Sequence, residues 1–279
     1  MTTAATDHLA ALLDLPGVKD AVARARTAVD GLLGHRVLRR RSAEVTAESA
    51  LRGARASAEL EGAGIELERL RGQLLAGGTI TLPSKDARGA RVVEGAVRLH
   101  AELGSVVASW KHSPRQALAR LHVLAAGELV APESLGRPRG VGASYEDVLH
   151  LGTAPEPLEV SVRIDGLARV LTSPTTAPAV VVAAVVHGEL LALRAFGSLD
   201  GLVARAAARL VLVDRGLDPK AVSAPEVGHS ELHHEYGAAA YDYVHGGPAG
   251  LARWIDHCAS AVALGAREGL AVCEAISRT

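Results

Sequence analysis

The sequence predicts an all-α fold, and three observations favour it. Nearly half of the 279 residues are apolar, and most of these are Ala, Leu and Val, with a single Phe and a single Met. Small apolar side chains favour closely packed helices over an aromatic-rich sandwich. Apolar residues also recur every three or four positions along much of the chain, and Gly or Pro residues fall where these runs begin or end. We therefore expect a sizeable helical core.

Four helices are predicted in the N-terminal part of the chain. The first carries one apolar stripe, and the second is broken or bent where Gly62 and Gly64 occur. The third follows Ser84, a residue type that caps helices, and the fourth begins at Ser113-Pro114, because proline suits a first helical turn. These helices are expected at residues 16–34, 42–76, 84–110 and 113–126.

Residues 127–160 form the longest irregular stretch and are rich in proline and glycine. Loops of this length in compact domains often bind ligands or act as lids. We expect a short helical turn at Tyr145–Leu149 and allow a short hairpin within residues 150–162.

Five helices are predicted after this loop. The run Ala177–Val186 is strongly apolar, but it is too short to span a bilayer and predicts a buried helix that begins at Ser173-Pro174. The five are expected at residues 160–171, 173–193, 201–215, 227–243 and 248–276. We assign residues 1–44 to an N-terminal helical extension and residues 45–279 to the main domain.

Charge and cysteine usage limit the function classes. The net charge is −1, so no global field attracts nucleic acid or membranes, and the basic run Arg39–Arg41 is interpreted as a solvated helix face. Cys258 and Cys273 are 15 residues apart, too far to bridge along one helix, and are expected to be buried free thiols. The N-terminus does not have the pattern of a signal peptide, which predicts a cytoplasmic protein.

Residues 187–217 are the most informative segment and read as helix, short loop, helix. From Arg194 to Arg205 the segment resembles, without gaps, the HPFxDGNGRxxR motif of the Fic family. Phe196, Gly201 and Arg205 match that motif, and Gly136 with Arg139 resembles the family's GxxR loop. The resemblance implies a Fic-like helical bundle, which typically transfers AMP from ATP to a protein hydroxyl.

The residues that would perform this chemistry differ from the motif. Arg194 replaces the histidine that acts as general base, and a guanidinium stays protonated at ordinary pH. Ser198 replaces the acid that holds magnesium. The phosphate-binding Gly-Asn-Gly turn reads Leu199-Asp200-Gly201, and Leu202 replaces the motif's first arginine.

The sequence therefore predicts a degenerate Fic-like protein without catalytic residues, which acts as an interaction or regulatory module for an unidentified protein partner. No cofactor is expected, and a homodimer is left open. The alternative is an atypical nucleotidyltransferase that uses ATP and magnesium. In that case Asp200 would be the base, and Arg194, Arg205 and Arg209 would bind the anion.

A second pattern resembles the family's autoinhibitory motif [S/T]xxxE[G/N]. Ser57, Glu61 and Gly62 fit it and lie upstream of the main motif, as in the class with an N-terminal inhibitory helix. The resemblance implies that Glu61 pairs with Arg205. The alternative is that Glu61 is an exposed helix residue.

Histidines near residue 230 give a third hypothesis. His229 and His233 are four residues apart on a predicted helix, a spacing that can place two imidazoles on one metal ion. The segment lacks the HExxH order of zinc-dependent hydrolases, so the leading prediction is that this segment binds no metal. A metal-dependent hydrolase at His229 and His233 remains a third alternative.

Overall fold

The computed structural model describes residues 7–278, and eleven α-helices hold most of them. No strand occurs within this range, which confirms the all-α prediction. The helices are α1 (Val18–Leu33), α2 (Ser42–Glu59), α3 (Leu67–Leu75), α4 (Ala87–His112), α5 (Pro114–Ala126), α6 (Pro157–Thr172), α7 (Ala179–Leu193), α8 (Asp200–Asp214), α9 (Pro225–Glu231), α10 (His233–His245) and α11 (Gly247–Ser277). Short 3-10 helices occur at Ala10–Asp14, Arg36–Arg39 and Pro132–Ser134.

Helix α7 runs through the centre of the molecule. It is apolar on all sides, and twelve of its fifteen residues are buried, as expected for a helix enclosed by others. It packs against α8 and α11. The helix stops at Arg194, which adopts the left-handed conformation with φ 43°. This stop places Arg194 at the start of the turn that leads into α8.

The remaining helices pack in pairs around this centre. The 31-residue helix α11 contacts α1, α9 and α10, while α2 packs on α4 and α9. Helices α4 and α5 approach so closely at Gly95 that a Cβ there would lie 2.0 Å from the carbonyl oxygen of Ala125. Helix α1 packs on α11 through one apolar stripe, formed by Val18, Ala21, Ala25, Val29 and Leu32.

The break expected near Gly62 within residues 42–76 is confirmed, because residues 60–66 leave the helical path and Gly62 takes a φ of 81°. Two predicted helix starts are wrong. The cap of α4 is Asp86, whose carboxylate accepts the N–H of Arg88, and not Ser84. Helix α7 begins at Ala179 instead of 173, since proline at 178 disfavours a helical residue before it.

The loop and the histidine segment also differ from the predictions. Tyr145–Leu149 contains no helix and only a turn at its end, which the amide of His150 closes on the carbonyl oxygen of Asp147. The allowed hairpin within 150–162 is absent because α6 begins at Pro157. The predicted helix 227–243 is interrupted at Leu232, where α9 ends and α10 begins. None of the described helices is both long and apolar enough for a membrane crossing.

Candidate functional site

The turn between α7 and α8 is built from backbone conformations that side chains rarely adopt. Arg194 and Leu199 both have left-handed φ values, 43° and 53°, and Gly197 has a φ of 78°. For an arginine and a leucine these conformations cost energy, so the surrounding contacts must hold them. One such contact joins the N–H of Phe196 to the Asp200 carboxylate at 2.9 Å.

Arg194 is buried beneath the loop that precedes α6. Its Nη1 donates to the carbonyl oxygen of Gly152 at 2.6 Å and lies 3.1 Å from the carboxylate of Asp147. Its guanidinium also lies over the ring of Tyr145, 5.2 Å from the centroid. Arg194 therefore already has a counter-ion within the chain, and the structure does not leave it free to hold an anion as the alternative hypothesis expected.

Hydrogen bonds to backbone oxygens fix the loop on the turn. The backbone amide of Arg139 donates to Ala195 O at 2.8 Å, and the side-chain Nε of Arg139 donates to Arg194 O at 3.0 Å. The amide of Glu146 donates to Gly197 O at 2.9 Å. The long irregular segment thus covers the motif, as its length and composition suggested.

Asp200 is buried at the start of α8. Burial raises the pKa of its carboxyl to about 7, and the nearby charge of Glu61 adds to this rise, while the amides of Phe196 and Gly197 oppose it. Its Oδ2 has no hydrogen-bond partner within the described chain. A carboxyl with a pKa near neutrality can exchange a proton under physiological conditions.

Ser198 and Phe196 occupy the interior of the same turn. The hydroxyl of Ser198 is buried without a hydrogen-bond partner in the described range. The ring of Phe196 stacks on His122 from α5 at 4.3 Å. The sequence analysis did not identify His122, because a lone histidine within an apolar helix gives no recognisable pattern.

The last turn of α2 and the turn that follows it bring Ser57 and Glu61 onto Arg205. The Nη2 of Arg205 lies 2.7 Å from the Glu61 carboxylate, and its Nε donates to Ser57 Oγ at 2.8 Å. Both ionic side chains are more than nine-tenths buried. Gly201 makes this approach feasible, since a Cβ at that position would lie 2.1 Å from Glu61 Oε1. The geometry is the pairing that the sequence resemblance implied, and the exposed alternative for Glu61 is wrong.

The remaining space at the motif is small. A cavity of about 30 Å³ lies among Glu61, Asp147, Leu151, Arg194, Asp200 and Arg205. This volume holds one or two water molecules, whereas small-molecule sites measure roughly 300–1,000 Å³. Glu61 and the loop therefore fill the cleft that the motif would otherwise form.

Arg209 is separate from this cleft. Its Nη1 lies 3.1 Å from the carboxylate of Glu226, and its Nη2 donates to Ser49 at 2.9 Å. Both members of the ion pair are buried. The alternative in which Arg209 and Arg205 bind the same anion does not fit this arrangement, because Glu226, a partner that the sequence did not indicate, neutralises Arg209.

A buried network of aromatic and imidazole rings lies next to Arg205. Arg205 Nη1 donates to the Tyr236 hydroxyl, which lies 2.8 Å from His187 Nε2. His229 Nδ1 lies 3.0 Å from His257 Nε2. Burial lowers the pKa of His187 and His229 well below the usual value, so both imidazoles are neutral.

The third alternative, which pairs His229 with His233, does not fit the structure. The interruption at Leu232 leaves His229 buried, while His233 is exposed and contacts the carbonyl oxygen of Ser230. The two imidazoles therefore cannot bind one ion from a single helix face. Cys258 and Cys273 are free and buried, as predicted.

The architecture is similar to that of several solved Fic proteins. A Fic family protein from Desulfovibrio desulfuricans G20 aligns with a TM-score of 0.73 and 19% identity, over 92% of this chain and 75% of that one. Fic-1 (residues 134–508) from C. elegans gives 0.69 and 17%, over 92% and 73%. A Fic domain containing signaling protein from Bacteroides thetaiotaomicron VPI-5482 gives 0.62 and 11%, over 91% and 98%. No sequence-family model and no curated protein matches the chain. At these identities the likeness shows the fold, and the chain has the Fic fold.

Proposed function

We propose that this Fic-fold protein does not transfer AMP and acts as an interaction or regulatory module for a protein partner. The observation that carries the proposal is the state of Arg194. It stands where the motif has its general base, and it is buried against Asp147 and the Gly152 carbonyl. A guanidinium in this environment cannot accept a proton from a target hydroxyl. Loss of such a base lowers a rate by roughly 10²–10⁴.

The surrounding positions support the same conclusion. Ser198 offers a neutral hydroxyl where the motif has a magnesium-binding carboxylate. Asp200 places a carboxyl group at the helix start where the motif binds phosphate, and a negative charge there would repel an anion. These losses affect separate parts of the reaction, so no single reversion would restore it.

The proposal is tested by incubating the protein with ATP labelled in the AMP group and magnesium. We expect no label on the protein itself or on lysate proteins, from either the wild type or Glu61→Gly. The Gly variant removes the side chain that closes the cleft, so it separates a blocked catalyst from one without catalytic residues. A Fic enzyme of known activity serves as the positive control, and label transferred by either form would refute the proposal.

The second candidate function is an atypical nucleotidyltransferase. One observation supports it, the raised pKa of Asp200. A carboxyl with a pKa of about 7, lining the same cavity as Arg205, is suited to general-base catalysis. If this candidate holds, Glu61→Gly transfers label and the additional change Asp200→Asn abolishes the transfer. Protection by ATP and magnesium in a thermal melt would also favour it.

A further inference from the structure

Three buried side chains from three different helices surround a small cavity next to Arg205. His187 of α7, His229 of α9 and Cys258 of α11 have ligand atoms that all lie within 4.8 Å of one another. The same three residues line a space of about 20 Å³. That space accommodates a single ion or water molecule.

The hydrogen bonds of the two imidazoles leave one nitrogen of each for this space. His187 uses Nε2 for Tyr236, and His229 uses Nδ1 for His257. Their other ring nitrogens make no hydrogen bond within residues 7–278. Imidazoles that bind metals are typically oriented in this way by a second partner on the opposite nitrogen.

We propose that one ring nitrogen of His187, one of His229 and the Sγ of Cys258 form a three-coordinate site for a soft, thiophilic metal ion, with Cu(I) preferred over Zn(II). An ion at the centre of the three atoms is at most about 2.8 Å from each, given their separations. Inward shifts of about 0.5 Å for the sulfur and about 0.7–0.8 Å for the nitrogens reach the usual bonding distances of about 2.3 Å and about 2.0–2.1 Å.

The charges around the cavity decide the preference. Arg205 and Arg209 both line it, but each is neutralised by its own buried carboxylate, Glu61 and Glu226. A monovalent ion with the Cys258 thiolate therefore adds no net charge to the interior. A divalent ion would leave one positive charge beside two guanidinium groups, which is costly in a buried site.

The size of the site also defines its role. A space of about 20 Å³ leaves no room for a substrate beside the ion, so the site is structural or regulatory and not a hydrolase centre. His257 contacts His229 and also lines a surface groove formed by α1, α10 and α11. The proposal does not depend on whether the protein transfers AMP.

The test is to titrate the purified protein with Cu(I) under anaerobic, reducing conditions in competition with a chromogenic chelator, and separately with Zn(II). We expect one equivalent of Cu(I) to bind, and Cys258→Ser to weaken the affinity by at least about 100-fold. Cys273→Ser is the matched control, because Cys273 is a second buried free cysteine of α11 outside the cluster. It should retain wild-type affinity.

X-ray absorption at the copper edge on the wild type gives a result that does not depend on folding of the variants. Two nitrogen and one sulfur scatterers are expected. Absence of binding by both metals, equal affinities of the two serine variants, or a copper environment without sulfur would each overturn the site. Tighter binding of Zn(II) at the same three residues would overturn the preference for copper.

Discussion

At the scale of single residues, the central feature is that every cation of the motif region has a partner inside the chain. Arg194 is paired with Asp147, Arg205 with Glu61 and Arg209 with Glu226. Such pairs contribute little when compared with apolar packing, but the loss of one partner leaves an uncompensated buried charge. The contacts of these residues therefore hold the cleft closed.

The Glu61–Arg205 pair gives the first prediction. Replacing Glu61 with Ala should lower the free energy of unfolding by about 3–5 kcal/mol, because the Arg205 guanidinium remains buried without its counter-ion. Urea denaturation measures this change. Glu68→Ala is the control, since Glu68 is highly exposed and its pair with Arg71 should contribute less than about 1 kcal/mol. Equal losses in the two variants would contradict the prediction.

The raised pKa of Asp200 predicts a pH dependence of stability. In the unfolded chain this carboxyl ionises near pH 3.8, whereas in the folded protein it holds its proton to about pH 7. The folded state thus binds the extra proton between these values, and stability decreases as pH rises through about 7. Asp200→Asn should remove this decrease, on the order of 2–4 kcal/mol.

The measurement is urea unfolding of the wild type and Asp200→Asn at pH values from 5 to 8.5. Asp165→Asn, at a half-exposed carboxylate paired with Arg115, corrects for the loss of one negative charge. A stability difference between wild type and Asp200→Asn that stays constant over this range would show that the carboxyl is already ionised in the folded protein.

At the scale of helices, the sequence predicted those helix ends that periodicity and capping residues mark. The ends of α5, α8 and α11 lie within about two residues of the predicted ones, because Pro at the first turn and Gly at the end are local signals. The interruption at Leu232 had no such signal, since no proline or glycine occurs there. The partner of Arg209 was also unpredictable, because Glu226 belongs to a different helix and no motif marks it.

The close contact of α4 with α5 gives a prediction at this scale. Gly95→Ala should lower the unfolding free energy by at least about 2 kcal/mol, because its Cβ would lie 2.0 Å from a backbone oxygen that cannot rotate away. Gly104→Ala on the same helix has open space around it and should be neutral or stabilising by up to about 1 kcal/mol. Thermal melts compare the two, and similar midpoints would contradict the close contact.

At the scale of the whole molecule, helix α1 is packed along α11 as part of the same core as the motif helices. The sequence suggested only a helical extension before residue 45, because an apolar stripe identifies a buried face but not the surface that it contacts. The resemblance to the Fic motif predicted the overall fold, since that motif fixes how α7 and α8 meet. It could not predict the position of α1, which lies outside the motif.

This arrangement predicts that α1 unfolds together with the rest of the protein. Ala25→Asp would place an unpaired carboxylate in the contact with α11 and should destabilise the whole protein by several kcal/mol. Thr27→Asp, on the exposed face of the same helix, should change stability by less than about 1 kcal/mol. If α1 were an independent unit, Ala25→Asp would leave the main transition in far-UV circular dichroism unchanged.

The position of Trp254 has an optical consequence. Its indole is fully buried, donates to the carbonyl oxygen of Ala184 at 2.7 Å and touches the rings of His187 and His257. The only other tryptophan, Trp110, lies on α4. With Trp110 replaced by Phe, the emission spectrum would come from one indole in the interior, and quenching would report any change in the rings beside it. Trp254 is thus an intrinsic fluorophore beside the proposed metal site, and its emission would report an ion that binds there.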